Sequence, residues 1–198
     1  MTSTSRPLFV LASSSPRRRE LLATMGLVFE VVPPDVDEIY IPGETPQDHV
    51  ARLSRTKALE VGIKERDCWI LGADTIVVVD ETILGKPKDE DEAYAMLKLL
   101  SGREHRVITG FFLYNRVLGA GKGEVIESTV KVKELCSDEI EWYVRTGEPF
   151  DKAGAYAIQG IGMFMIESIR GSHTNVIGLP VCEVVQALHQ VGAIRLFL

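Results

Sequence analysis

The sequence predicts an α/β fold on a mixed sheet, from three observations. Short strand-like segments recur along the chain, at Leu8–Leu11, Phe29–Val32, Cys68–Ala73 and Val125–Val132. Segments with helical spacing and helix-start residues lie between several of them. Other runs follow each other directly across a turn, so strands alternate with helices in some places and pair directly in others, the pattern of a mixed sheet. With 198 residues, 45% hydrophobic and 25% charged, the chain is long enough to bury a core, and residues 1–198 are read as a single domain.

The first unit is a strand at Leu8–Leu11, a turn through Ser13, Ser14 and Ser15, and a helix opened by Pro16 and closed near Met25-Gly26. Arg17, Arg18 and Arg19 fall on its first turn, where the helix dipole disfavours cations. An anion is the simplest compensation, because exposed N–H groups, hydroxyls and guanidinium forks at one helix start form a phosphate site. After the strand Phe29–Val32, Pro33, Pro34, Pro42 and Gly43 bracket an acidic loop with Asp35, Asp37 and Glu38. Thr45 as N-cap and Pro46 at N1 start a helix that runs toward Gly62 with Val50, Leu53 and Val61 inward. Lys57 falls on that apolar face. It either snorkels to the edge or binds an anion.

The next strand, Cys68–Ala73, is expected to stop at Asp74, with Thr75–Val79 continuing in extended form to a turn at Asp80-Glu81. Strand ends are where α/β sheets place ligands, and a carboxylate there can hold a metal or orient a water. The competing reading is a turn aspartate bonded to its own backbone. Ile83-Leu84 leads back to Gly85-Lys86-Pro87, where Lys86 is either a fixed ammonium or a solvated loop lysine. A helix from about Asp89 turns Ala93, Met96, Leu97 and Leu100 inward and ends before Gly102. Val107–Tyr114 and Val125–Val132 read as an antiparallel pair around a turn at Gly119–Gly123. Ser137 is expected to cap a helix that stops at Gly147. Asp151–Gly162 is rich in glycine and alanine, so something can approach its backbone. Gln159 there offers both donor and acceptor, as a nucleobase edge requires, unless the segment is simply a packed turn. Met163–Ile169 reads as a strand, and Pro180 opens a last helix to about Val191.

Bulk properties exclude several classes. A net charge of −6 argues against a duplex nucleic-acid binder, though not against a nucleotide in a local basic pocket. No window approaches a membrane span, and the first apolar run is too short for a signal segment. The three cysteines, Cys68, Cys136 and Cys182, are scattered, without zinc or disulfide spacing, which fits a reducing, cytoplasmic setting. The four histidines have no metal-ligand spacing. GxxxxGK[ST] and GxSxG are absent, which disfavours a P-loop enzyme and an α/β-hydrolase. Trp69 and Trp142 are read as core or interface residues.

Together these segments resemble the Maf family of nucleotide pyrophosphatases. The resemblance covers nearly the whole chain in order. It rests on Leu11 to Arg19, Val36-Asp37-Glu38, Arg52-Leu53, Lys57-Ala58, Gly72-Ala73-Asp74-Thr75, Gly85-Lys86-Pro87, Leu100-Ser101-Gly102, Asp151 to Tyr156, Gln159-Gly160 and Val176 to Pro180. It implies a Maf/inosine-triphosphatase-like α/β fold, an elongated mixed sheet with two lobes around a cleft, often in a homodimer. It also implies hydrolysis of a nucleoside triphosphate to monophosphate and pyrophosphate with a divalent cation, Mg²⁺, Mn²⁺ or Co²⁺. By the same resemblance Asp74 activates water, Glu38 shares the metal, and Ser13, Arg17, Arg18, Lys57 and Lys86 surround the triphosphate.

The family divides by substrate, and this chain is similar to the dTTP/UTP branch at Arg17, Thr75 and Gln159. The 7-methyl-GTP branch carries tryptophan, glutamine and glutamate at those places. An amide suits a pyrimidine carbonyl and its N3–H, whereas a glutamate suits a guanine edge that only donates. A purine-type pyrophosphatase and a non-catalytic nucleotide-binding regulator of septum formation are the alternatives.

Overall fold

A strand buried on both faces needs apolar residues at every position, and Phe9–Ala12 supplies them between two parallel neighbours. A computed structural model describes residues 9–64 and 68–195, so Leu8, expected to open this strand, lies outside the described residues. The strands are β1 (Phe9–Ala12), β2 (Phe29–Val31), β3 (Trp69–Val79), β4 (Thr82–Leu84), β5 (Glu104–Asn115), β6 (Ala120–Val132) and β7 (Ile166–Arg170). The helices are α1 (Pro16–Thr24), α2 (Pro46–Lys64), α3 (Glu90–Leu100), α4 (Ser137–Arg145), α5 (His173–Ile177) and α6 (Val181–Gln190). Short 3-10 turns occupy Glu148–Asp151, Ala153–Ala155 and Ile161–Met165. The seven strands form one sheet in the order β2-β1-β3-β5-β6-β7, with β4 paired to β3 off that path. β1 is parallel to β2 and β3, while β3–β4 and β6–β7 are antiparallel, so the sheet is mixed as expected.

The chain divides into two compact units, one of residues up to Asp74, Gly110–Val125 and Leu179 onward, the other of Thr75–Thr109 and Ile126–Gly178. In the first, alternation along β1 separates two packing faces. Phe9 and Leu11 pack with Leu22 of α1 and with Val184 and Leu188 of α6, and Val10 and Ala12 pack with Ala58 and Val61 of α2. α2 lies unusually close to the sheet. A Cβ on Gly72 would fall 2.2 Å from the Ser54 carbonyl oxygen, and one on Gly110 would fall 2.5 Å from that of Val50. Only glycine permits such approach of a helix backbone to a strand. In the second unit, Val77 and Val79 of β3 pack with Ala93, Leu97 and Leu100 of α3 and with Ile140, Tyr143 and Val144 of α4.

Several expectations need correction. β3 does not stop at Asp74 but runs unbroken to Val79. What ends there is its neighbour: β1 pairs with β3 only as far as Ala12 and Gly72, and β4 takes over from Val77. The β5–β6 turn is at residues 116–119, and Gly121 and Gly123 lie within β6. They are glycines because Phe112 covers them, a Cβ meeting its ring at 2.6 and 2.7 Å. Residues expected to open the last strand instead form the 3-10 turn Ile161–Met165, because the Glu148 carboxylate accepts the Ile161 and Gly162 N–H groups. Cys136, not Ser137, is the N-cap of α4, with Glu139 reaching back to the Cys136 N–H at 3.0 Å. Trp69 is buried, whereas Trp142 is half exposed with its edge contact to Phe164. No helix among the described residues is long and apolar enough to cross a membrane.

Candidate active site

The site is built where β1 ends. The chain leaves Ala12 through Ser13, Ser14 and Ser15 into α1, with Pro16 fixing the first helical φ. Ser15, the N-cap, makes no side-chain cap bond, and its N–H donates to Ser13 Oγ at 3.2 Å. Arg18 folds back over this turn. Its Nη1 donates to Ser13 Oγ at 3.2 Å and to the Ala73 carbonyl at 2.9 Å. Arg18 is buried, and burial lowers its pKa from the ordinary value, opposed by the Asp74 and Glu38 carboxylates and aided by neighbouring Arg17. A carbonyl and two carboxylates therefore answer part of the positive charge at this helix start. Arg17 is half-buried and Arg19 is exposed.

Lys57 approaches from α2. It is only 4% exposed, so the snorkelling reading is wrong. The close seat of α2 on Gly72 keeps the ammonium inside, where Nζ donates to Asp74 Oδ1 at 2.7 Å and lies 2.5 Å from Glu38 Oε1. Asp74 is itself buried, while the Glu38 side chain is half exposed on the irregular segment between β2 and α2.

That segment is held by Arg52, for which sequence reasoning assigns no role beyond its place in a signature. Arg52, one and a half turns before Lys57, sets its guanidinium fork on Glu44, with Nη2 at 2.8 Å from Oε2 and Nε on Oε1. The same Nη2 donates to the Ile39 carbonyl at 2.9 Å, and the Ile41 N–H donates to Glu44 Oε2 at 3.3 Å. His49 Nδ1 lies 3.2 Å from that oxygen. The Arg52 bonds hold the Glu44 carboxyl at a pKa of about 2. Arg52 lies within the Arg52-Leu53 signature, but no local pattern in the sequence pairs it with Glu44.

Among the described residues, no three His, Cys, Asp or Glu side chains gather as a metal cluster. Asp74 and Glu38 nevertheless converge on one cation, the Lys57 ammonium. Two carboxylates, with phosphate and water completing the shell, are a donor set that hard divalent ions accept. The residues present thus fit a Mg²⁺-type ion.

The structure brings together Ser13, Arg18, Glu38, Lys57 and Asp74. It does not do the same for Thr75. That hydroxyl donates to the Gly178 carbonyl at 3.1 Å and lies 2.9 Å from Thr109 Oγ1, as expected of successive strand residues that face opposite sides. Lys86 is exposed on a loop anchored by the Gly154 N–H, which donates to the Gly85 carbonyl at 3.0 Å. Gln159 is exposed beside Gly160. Lys86 and Gln159 belong to the second unit.

Known proteins match the chain over nearly its whole length. The chain is 54% identical over 192 residues, 95% of this chain and 86% of the other, to the dTTP/UTP pyrophosphatase of Syntrophotalea carbinolica. It is 52% identical to that of Geotalea uraniireducens, over 94% of this chain and 96% of the other. It is 46% identical to that of Clostridioides difficile, over 95% of this chain and 97% of the other. The family model described as "Maf-like protein" matches residues 8–191. A family model over residues 8–191 and relatives at about half identity along nearly the whole chain show that the chain belongs to the Maf family.

Proposed function

We propose that this protein hydrolyses nucleoside triphosphates, dTTP and UTP foremost, to the monophosphate and pyrophosphate. The observation that carries the proposal is the gathering of Asp74, Lys57, Glu38, Arg18 and Ser13 at one strand end. Similarity to dTTP/UTP pyrophosphatases at about half identity supports the substrate class.

In this reading the cations of Arg17, Arg18, Lys57 and Lys86 take the oxygens of the triphosphate. Ser13 Oγ already accepts from Arg18 and from the Ser15 N–H, which leaves its own proton for a phosphate oxygen. Asp74 takes a proton from water as the oxygen attacks the α-phosphorus. The bond from that phosphorus to the bridging oxygen breaks, and its electron pair leaves with pyrophosphate. Asp74 and Glu38 would hold a divalent cation, Mg²⁺, Mn²⁺ or Co²⁺, which when bound would neutralise charge on the leaving group. Arg17, Thr75 and Gln159 set base selectivity. Gln159 pairs with the pyrimidine edge, and Thr75 acts by fixing the strand through its Thr109 and Gly178 contacts. The reading retains the homodimer of the family resemblance and a cytoplasmic setting.

Asp74→Asn tests the chemistry. It should bind dTTP and release pyrophosphate at least about 100-fold more slowly, since an amide is no base. Turnover near that of the unaltered protein would contradict the role of Asp74. Tight nucleotide binding by the unaltered protein, without hydrolysis under any of the three metals, would favour the regulator.

A further inference from the structure

We infer that Glu148 is a positioning residue for base recognition, its carboxylate holding the turn that presents Gln159. This rests on the reading of Gln159 as the base contact. Glu148 opens the 3-10 turn after α4, and both its oxygens are used. Oε2 accepts the Ile161 N–H at 2.9 Å. Oε1 accepts the Gly162 N–H at 2.9 Å and the hydroxyl of buried Tyr143 at 2.8 Å. Burial pushes the Glu148 carboxyl up, yet these donors outweigh it and leave the pKa below the ordinary value.

The turn is wound on this carboxylate. Gly160 has φ +91° and ψ −150°, a region open only to glycine, and a Cβ there would lie 2.6 Å from Glu148 Oε2. The other end of the segment is fixed as well. The Tyr156 hydroxyl lies 2.7 Å from Nε2 of buried His105, and their rings meet edge to face at 5.3 Å. Gln159 is thus an exposed amide between two anchors, three residues past Tyr156 and one before Gly160. Ordering that amide within the fold removes an entropic cost from substrate binding. A carboxylate is needed because both its oxygens accept, whereas an amide would turn its NH₂ toward an N–H.

The test compares Glu148→Gln, Gln159→Ala and the double variant in the full-length protein with dTTP and GTP, after thermal melting confirms folding. Glu148→Gln should lower kcat/KM for dTTP about tenfold, chiefly through KM, and change that for GTP less than about twofold. Glu148→Gln should shift selectivity no further once Gln159 is alanine. An unchanged dTTP-to-GTP ratio in Glu148→Gln, or equal losses on both substrates, with Gln159→Ala altering the ratio, would overturn the positioning role alone. An unchanged ratio in Gln159→Ala would overturn the base-contact reading and this inference with it.

Discussion

Lys57 sits on the apolar stripe of α2, four residues after Leu53, and its burial follows from what it meets. Two carboxylates converge on its ammonium, so the charge enters the interior paired. Removing one partner of a buried pair leaves the other uncompensated, which costs about 3 kcal/mol. Lys57→Met should therefore lower the melting temperature by several degrees and, by taking a cation from the triphosphate, reduce turnover at least about 100-fold. Thermal melts and initial rates check both, and an unchanged melt would contradict the paired-burial account. His105 is a second buried ionisable residue, its pKa lowered to about 4 by desolvation. Unfolded, it titrates near 6.5. Between those values the unfolded chain binds the extra proton, so stability is full above about 6.5 and falls as pH drops toward 4, by about 3 kcal/mol in all. His105→Gln, which retains a partner for the Tyr156 hydroxyl, should flatten this part of the curve of stability against pH. At this scale the residue types were legible. Asp74 stood out as an acid within an apolar run, yet a lone sequence cannot show that the neighbouring strand is the one that stops.

α2 shows how an element carries chemistry. Its start was readable, since Thr45 Oγ1 accepts the Asp48 N–H at 3.1 Å and Pro46 follows the cap. Its depth was not readable, because it depends on Gly72 and Gly110, which lie on two strands distant in sequence. Gly72→Ala would drive a methyl into the Ser54 carbonyl and the Ala58 N–H, both backbone, so the helix must shift as a whole. The expected result is a loss of about 2 kcal/mol or more together with reduced turnover, as Lys57 moves off Asp74. Retained activity in a fully folded variant would show that the site tolerates this displacement. The Arg52–Glu44 fork was hidden for a different reason, since it ties α2 to an irregular segment that no periodicity describes. Arg52→Gln should weaken Mn²⁺ binding, measured by calorimetry, by releasing the segment that carries Glu38. Unchanged affinity would separate the fork from the metal. α5 was missed because five residues are too few for a helical repeat, although Ser172 accepts the Asn175 N–H in an ordinary cap. The β5–β6 turn lies before the glycines that suggest it, because two of them sit within β6 beneath Phe112.

Across the whole molecule, a net charge of −6 coexists with two buried cations, Arg18 and Lys57, that both interact with Asp74 and Glu38. This suits a small polyanion that needs a pocket rather than a basic face. The mixed α/β class was legible because each strand and helix announces itself locally. Two lobes were implied by the family resemblance alone, and local patterning does not mark the unit boundaries, since the first unit collects three separated stretches of the chain. Base selectivity, on the proposed reading, is tested at Gln159. Gln159→Glu should weaken the pyrimidine preference, and unmoved selectivity would refute the reading of the amide. The most direct test of the account is pyrophosphate release from a panel of nucleoside triphosphates, 7-methyl-GTP included, with Mg²⁺, Mn²⁺ and Co²⁺. The highest kcat/KM is expected for dTTP and UTP, with one pyrophosphate and one monophosphate per turnover. Preferential turnover of 7-methyl-GTP or another purine, or release of orthophosphate in place of pyrophosphate, would contradict it.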